Sequence, residues 1–249
     1  MTTEAEAGVD AGPGAGTATA PAGSQAVRRA LDVLHCFHDN GPDLSASDLA
    51  RRLGLPTSTA HRLARTLLSA GFLEQDARTA RYRLGPAVTE LGRLSYHQRG
   101  LHLAAPELGE LAARTGAAVD LALRSGPYAV IVAGGPVTPK AGLRLPLRST
   151  APGRVLLAWP RAGAPDEEWG RVRERGHVLD DGATGLGVRT VAVPVLDRAG
   201  HARFALALRA APAVLTDARL DWFLTQARGC ARALEVLLLP PGERRAPEA

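Results

Sequence analysis

Between Leu44 and Gly71 the chain spaces capping residues, short apolar stripes and helix breakers in a way that few folds accommodate. Ser45 can cap the backbone amides of a helix that carries Asp48 three residues on, and Leu44 and Leu49 sit where a hydrophobic staple places them. That helix turns Leu49, Ala50 and Leu53 inward and stops at Gly54. Pro56 then holds Leu55 extended, and Thr57 is placed to cap a further helix. Two short helices joined by a three-residue turn containing glycine are a helix-turn-helix.

The second of these helices is divided by its periodicity. Ala60, Leu63, Ala64, Leu67 and Leu68 form one stripe, and Ser58, His61, Arg62, Arg65 and Ser69 form the opposite face. Gly71 closes it. FLEQDARTARYRL then predicts a hairpin, with strands 72–75 and 81–84, a turn over 76–80, and Arg78, Arg81 and Arg83 on its tip and return strand. Upstream, Val27, Ala30, Leu31, Leu34 and Phe37 recur at helical spacing until Gly41-Pro42. A row of donors on a short helix suits the major groove, with Arg62 or Arg65 reaching guanine edges or phosphates while Ser58, Thr59 and His61 fix position. The competing reading is a solvated helix face. Three helices, a tight turn and an arginine-bearing hairpin in this order favour DNA.

Charge supports this only weakly. The pI is about 10, but the net charge is +5 and Lys140 is the sole lysine, so the placement of the arginines matters more than their number. With 249 residues the chain has length for two domains. No apolar run reaches the eighteen or so residues of a membrane span, and Glu4, Glu6 and Asp10 are unlike a secretory leader, which implies the cytoplasm. Cys36 and Cys230 are too few for a disulfide framework.

Residues 1–23 carry too little apolar bulk to fold and are expected to be a disordered tail, as is 240–249, PPGERRAPEA. Between them, 24–86 form the winged helix-turn-helix. Residues 87–101, with Val88, Leu91 and Leu94, form a linker helix and dimer contact, and 102–239 form a larger domain. In the last, a helix to Arg114 precedes strands at 119–124, 128–133, 188–195 and 202–209, with helices near 152–159, 166–175 and 217–238. This is an α+β pattern.

The segment LSASDLARRLGLPTSTAHRLARTLLSAGFLEQDARTARYRLG resembles the winged helix-turn-helix of the IclR family of bacterial transcriptional regulators. LRLPLRSTAPGRVLLAW and RGHVLDDGATGLGVRTVAVPVLDRAG resemble two parts of that family's effector-binding domain, so the likeness runs from about Ser24 to Leu238. It implies a GAF-like α/β domain behind the linker. It also implies homodimers or tetramers on palindromic double-stranded DNA operators, and control by a small, often carboxylate-bearing or aromatic effector. Thr57, Ser58, Thr59, His61, Arg62, Arg65, Arg78 and Arg81 become the expected DNA contacts, and Ala151, Pro152, Asp180, Val188, Thr190, Ala207 and Arg209 align with the family's effector contacts. Three departures stand out. Thr57 replaces a frequent lysine, for which Arg51 and Arg52 could compensate. Gly182 and Ala183 replace an acidic pair, and Thr190 replaces a cysteine, which argues against a metal- or thiol-dependent site.

Strand parity points to the same domain. Phe204, Leu206 and Leu208 share one face with Val191, Val193 and Val195, while Ala192, Ala205 and Ala207 leave room on the other. Arg209 at the rim would fork onto a carboxylate, suggesting an anionic effector larger than the smallest keto acids. The alternative pairs Arg209 with Asp120 or Asp180. His35, Cys36 and His38 lack a fourth metal ligand, GATGLGVRT precedes a strand and so reads as a lid rather than a dinucleotide loop, and Asp180-Asp181 are expected to face water. No cofactor is expected. An enzyme working in the C-terminal pocket, with the winged helix as an interaction module, is the competing class, and a C-terminal domain serving dimerisation alone is a third.

Overall fold

The computed structural model describes residues 22–38, 43–136, 142–160, 167–182 and 187–246. The expected tail through residue 21, the Gly41-Pro42 stop, the start of the 166–175 helix and residues 247–249 lie outside them. The chain divides into two compact units, 1–90 and 91–249.

In the first unit, α1 (Ala22–His35), α2 (Ala46–Leu53) and α3 (Thr57–Ser69) precede an antiparallel hairpin of β1 (Leu73–Gln75) and β2 (Tyr82–Leu84). Ser45 caps α2. Its Oγ accepts from the Asp48 amide at 3.1 Å, while its own amide and hydroxyl donate to Asp48 Oδ2 at 3.0 and 2.8 Å. The hydroxyl bond chief among these holds the Asp48 carboxyl down at about 2. Gly54 ends α2 in the left-handed conformation. Thr57 does not cap α3. Pro56 precedes the first turn and its carbonyl accepts from Thr59 and Ala60, so Thr57 is the first helical residue and its side chain makes no cap bond. Leu44, Leu49, Ala60, Ala64, Leu73 and Tyr82 form the centre of this unit's core. Leu44 also exchanges two 2.8 Å backbone bonds with Tyr82, which docks the hairpin on the chain before α2. Only glycine fits at position 85, where a Cβ would lie 2.3 Å from the Gly71 carbonyl oxygen.

The expected linker helix is shorter than its periodicity suggested. Helix α4 (Pro86–Gln98) stops before Gly100, whose φ of +68° turns the chain, and Leu101 begins α5 (Leu101–Thr115) as a buried residue.

The second unit is built on a six-stranded antiparallel sheet in the order β5-β4-β3-β8-β7-β6. Its strands are β3 (Ala118–Ser125), β4 (Tyr128–Gly134), β5 (Arg144–Pro146), β6 (Val178–Asp180), β7 (Arg189–Leu196) and β8 (Ala202–Ala210). β5 and β6 have three residues each and escape periodicity, which needs a longer run to show. Helices α5 and α8 (Leu220–Leu238) cover one face, where Val119, Leu121, Val191, Val193, Leu206 and Leu208 are buried. Helix α6 (Ala151–Ala158) covers the other, against Ala122, Ala192, Ala205 and Ala207. The short α7 (Gly170–Arg175) leads into β6. The expected C-terminal tail folds back over its first seven residues: a 3₁₀ turn at Pro241–Glu243 pairs Glu243 with Arg203, and Arg245 donates to the buried Glu235 at 2.6 and 3.1 Å. Proline ended the helix as expected, but Glu243, Arg244 and Arg245 found partners in the body of the unit, Arg244 at the Leu239 carbonyl, 2.9 Å away.

Candidate functional site

Helix α3 packs Ala60, Ala64 and Leu67 inward and leaves Thr57, Ser58, His61, Arg62, Arg65 and Ser69 exposed, with Thr59 half-buried. Among the described residues neither the Arg62 nor the Arg65 guanidinium is engaged in an ion pair, so both present a full set of donors. The hairpin tip is held by Asp76, whose Oδ1 accepts from the amides of Arg78 and Thr79, leaving the Arg78 side chain exposed.

Arg81 does not belong to that open set. Its Nε donates to Asp43 at 2.5 Å and its Nη2 to the Asp43 carbonyl at 3.1 Å, with Asp48 3.5 Å away. It fastens the hairpin to the start of α2, a role the sequence conceals because its partner lies 38 residues away. Arg51 and Arg52 are likewise occupied, by Asp48 at 2.7 Å and the Cys36 carbonyl at 3.0 Å. Arg83 pairs with Glu74.

In the second unit the sheet face under α6 carries a cavity of about 100 Å³. All seven aligned residues line it: Ala151, Pro152, Asp180, Val188, Thr190, Ala207 and Arg209. Register explains why. Arg209, Thr190 and Asp180 are direct neighbours across β8, β7 and β6, and Asp120, Ala207, Ala192 and Val178 form the next row. Alanines in that second row make the space. Above them, Thr150 donates to the Pro146 carbonyl at 2.7 Å rather than capping α6, and Gly153 lies so close to Leu147 that a Cβ would sit 2.4 Å from its carbonyl oxygen. Asp120, named above as a candidate partner of Arg209, also lines the cavity, as do Ile131, Leu143 and Leu145, whose long-range placement left no local signal.

Of the two readings of Arg209, the structure carries the pairing with Asp120: its Nε and Nη2 both donate to Asp120 Oδ2, at 3.0 and 2.9 Å. One expectation is corrected. Asp180 does not face water; it ends β6 buried against the cavity, while Asp181 is exposed and pairs with Arg189 at 2.7 Å. Of the expected lid, residues 183–186 lie outside the described residues. No cluster of three or more metal-ligating side chains occurs among the described residues. His35 and His38 stack on one another, Cys36 bonds the Asp32 carbonyl, and burial pushes the Cys230 thiol up to about 12, away from nucleophilic chemistry. Among the described residues no helix is long and apolar enough to cross a membrane.

A helix-turn-helix with a wing and an open arginine face, in one chain with an α/β unit that encloses a cavity, defines a DNA-binding transcriptional regulator. Residues 26–77 match the IclR helix-turn-helix domain and residues 166–236 the bacterial transcriptional regulator IclR C-terminal domain. The HTH-type transcriptional regulator XynR of Escherichia coli K12 is 31% identical over 240 residues, covering 84% of this chain and 95% of that protein. A solved regulator from Silicibacter sp. TM1040 superposes with a TM-score of 0.76 at 24% identity, over 89% of this chain and 98% of its own. An IclR homologue from Microbacterium hydrocarbonoxydans, solved with 4-hydroxybenzoate, gives a TM-score of 0.65 at 23% identity, over 85% of this chain and 99% of its own. The chain belongs to the IclR family of transcriptional regulators.

Proposed function

We propose that this regulator reads a palindromic operator with α3 and that a small effector in the cavity under α6 changes its affinity for that operator. The observation that carries the DNA half is the pair of unengaged guanidinium groups, Arg62 and Arg65, on an exposed face of α3. Thr57, Ser58, Thr59 and His61 fix the register on the phosphates, and Arg78 reaches the backbone from the hairpin tip. Arg81 acts through the hairpin it positions. For the effector half, support comes from the convergence of seven aligned residues on one enclosed cavity, and from the 4-hydroxybenzoate complex of a relative with the same fold.

The chain works as a homodimer, or a dimer of dimers, in the cytoplasm. Leu91 and Leu94 on α4 are 52% and 50% exposed, and a helix with such an apolar edge is covered by a second copy. Two copies place two recognition helices on half-sites one or more helical turns apart.

Fluorescence anisotropy with DNA from upstream of the gene, against unrelated DNA and across salt, tests the reading. Replacing Arg62 or Arg65 by alanine should cost about 1–3 kcal/mol of specific binding and relax sequence preference at one position. Equal, salt-sensitive binding to both DNAs that the double variant leaves unchanged would remove α3 from the recognition role.

A further inference from the structure

We propose that this regulator has a second ligand site, where β3 and β8 part at one end of the sheet, and that it takes a small organic molecule bearing two negative charges. The site shares no lining residue with the cavity under α6.

Strand pairing opens it. β3 and β8 are in register from Ala118 opposite Arg209 to Ala122 opposite Ala205, and no further. Beyond that point β3 continues along β4 alone, as far as Ser125 opposite Tyr128, and β8 runs along β7 alone, with Ala202 opposite Leu196. Both of these outer pairings shift register close by, between Leu121 and Ala122 in one and between Val195 and Leu196 in the other. Irregularities of this kind bend a strand and sharpen its twist. The two central strands therefore part, and a cleft of about 540 Å³ is lined by Leu123 and Arg124 of β3 and by Ala202, Arg203 and Phe204 of β8. That volume is within the range of small-molecule sites.

The floor of the cleft is apolar and its rim is cationic. Leu156 of α6, Ala202 and Phe204 are buried, and Leu123 is half-buried. Arg124 and Arg99 are exposed at the rim, the latter contributed by the turn between α4 and α5. The next residue, Gly100, fixes that turn against the end of α8, where a Cβ would lie 3.3 Å from the Leu237 carbonyl oxygen.

The two rim guanidinium groups are poorly compensated. Arg99 Nε donates to Ser95 Oγ and Arg124 Nε to the Gly126 carbonyl, each at 3.4 Å, longer than an ordinary N–H to oxygen bond and to a neutral acceptor. Arg203 is held by Glu243 and Asp197, which leaves Arg99 and Arg124 as the groups that call for an anion. No carboxylate lines the cleft among the described residues. Each guanidinium carries five donors in a planar fork that matches phosphate or carboxylate oxygens. Two such groups above Leu156 and Phe204 suit a dianion with a compact apolar body, and a ligand held by both would fasten the α4–α5 turn to the end of β3.

Phenyl phosphate and terephthalate place two negative charges on a ring, one as a phosphomonoester and the other as a dicarboxylate; phenol and inorganic phosphate each carry half of that chemistry. In titration calorimetry of the full-length protein at mildly alkaline pH, one or both dianions should bind once per chain, and the tighter one identifies the head group. Phenol and inorganic phosphate should bind at least about tenfold more weakly, having lost the charge or the buried ring. Arg99→Gln and Arg124→Gln should each weaken the dianion about tenfold and together abolish its binding, while the melting temperature stays that of the parent, because neither side chain has a carboxylate partner. Ala207→Leu in the cavity under α6, and Arg62→Ala with Arg65→Ala on α3, should leave the dianion affinity unchanged. Binding that survives the Arg99, Arg124 double variant, or that Ala207→Leu removes, would overturn the assignment. Inorganic phosphate binding as tightly as phenyl phosphate would mark an adventitious ion only, and no heat from either dianion would likewise sink the proposal while leaving the effector reading of the cavity under α6 in place.

Discussion

Replacing Asp120 by alanine separates a structural role for Arg209 from a ligand-binding one. The side chains are 5% and 26% exposed, and the two guanidinium bonds of 2.9–3.0 Å converge on a single carboxylate oxygen. Breaking a fully buried pair from one side costs about 3–5 kcal/mol, and water reaching the quarter-exposed Arg209 lowers this to about 2–3 kcal/mol for Asp120→Ala. Arg209→Ala takes this pairing from the better buried group and should cost more, about 3–4 kcal/mol. In a unit of this size each kcal/mol moves the midpoint by about 2–4 °C, so Asp120→Ala should melt about 4–12 °C lower. The double variant should melt above the sum of the two losses, with a coupling of about 1–3 kcal/mol in a double-mutant cycle from urea denaturation of the C-terminal unit. Additivity within about 0.5 kcal/mol would show that the two groups do not stabilise one another, and would return Arg209 to the role of a waiting anion site.

Three further outcomes follow from local geometry. Asp48 sits at about 2 because Ser45 donates to it, below the ordinary value of about 3.9. Its contribution is therefore complete above that ordinary value and fades as pH falls towards 2. Ser45→Ala should cost about 1 kcal/mol at neutral pH and move acid unfolding of the N-terminal unit to higher pH, measured by urea titration from pH 2 to 7. Ala207→Leu places three more carbons in the cavity. Their burial contributes up to about 2 kcal/mol, offset by about 1–3 kcal/mol of overpacking, so the melt should barely move while effector control of operator binding is lost and operator binding itself persists. Ala80 adopts a φ of +55° in the hairpin turn; glycine there should stabilise the N-terminal unit by about 0.5–1 kcal/mol in urea melts, because relief of left-handed strain exceeds the added unfolded-chain entropy.

Much of this was legible in residue order. The Ser45–Asp48 box, the Leu44 and Leu49 staple, the Gly54 stop and the two faces of α3 are all set within a few residues, where spacing along the chain equals spacing in space. Strand parity likewise separated Leu206 and Leu208 from Ala205 and Ala207. The seven effector positions came from family likeness, and register then explains their convergence.

What residue order determined by itself is thus the local code: which segments are helices, where they stop, and which faces are apolar or rich in arginine. Tertiary structure decided which charges remain open. Arg62 and Arg65 stay exposed, whereas Arg81 is taken by Asp43, Arg209 by Asp120 across 89 residues of sequence, and Glu243 folds back to Arg203. An arginine carries the same charge in every sequence context, but its donors are spent on whichever carboxylate the fold brings within about 3 Å.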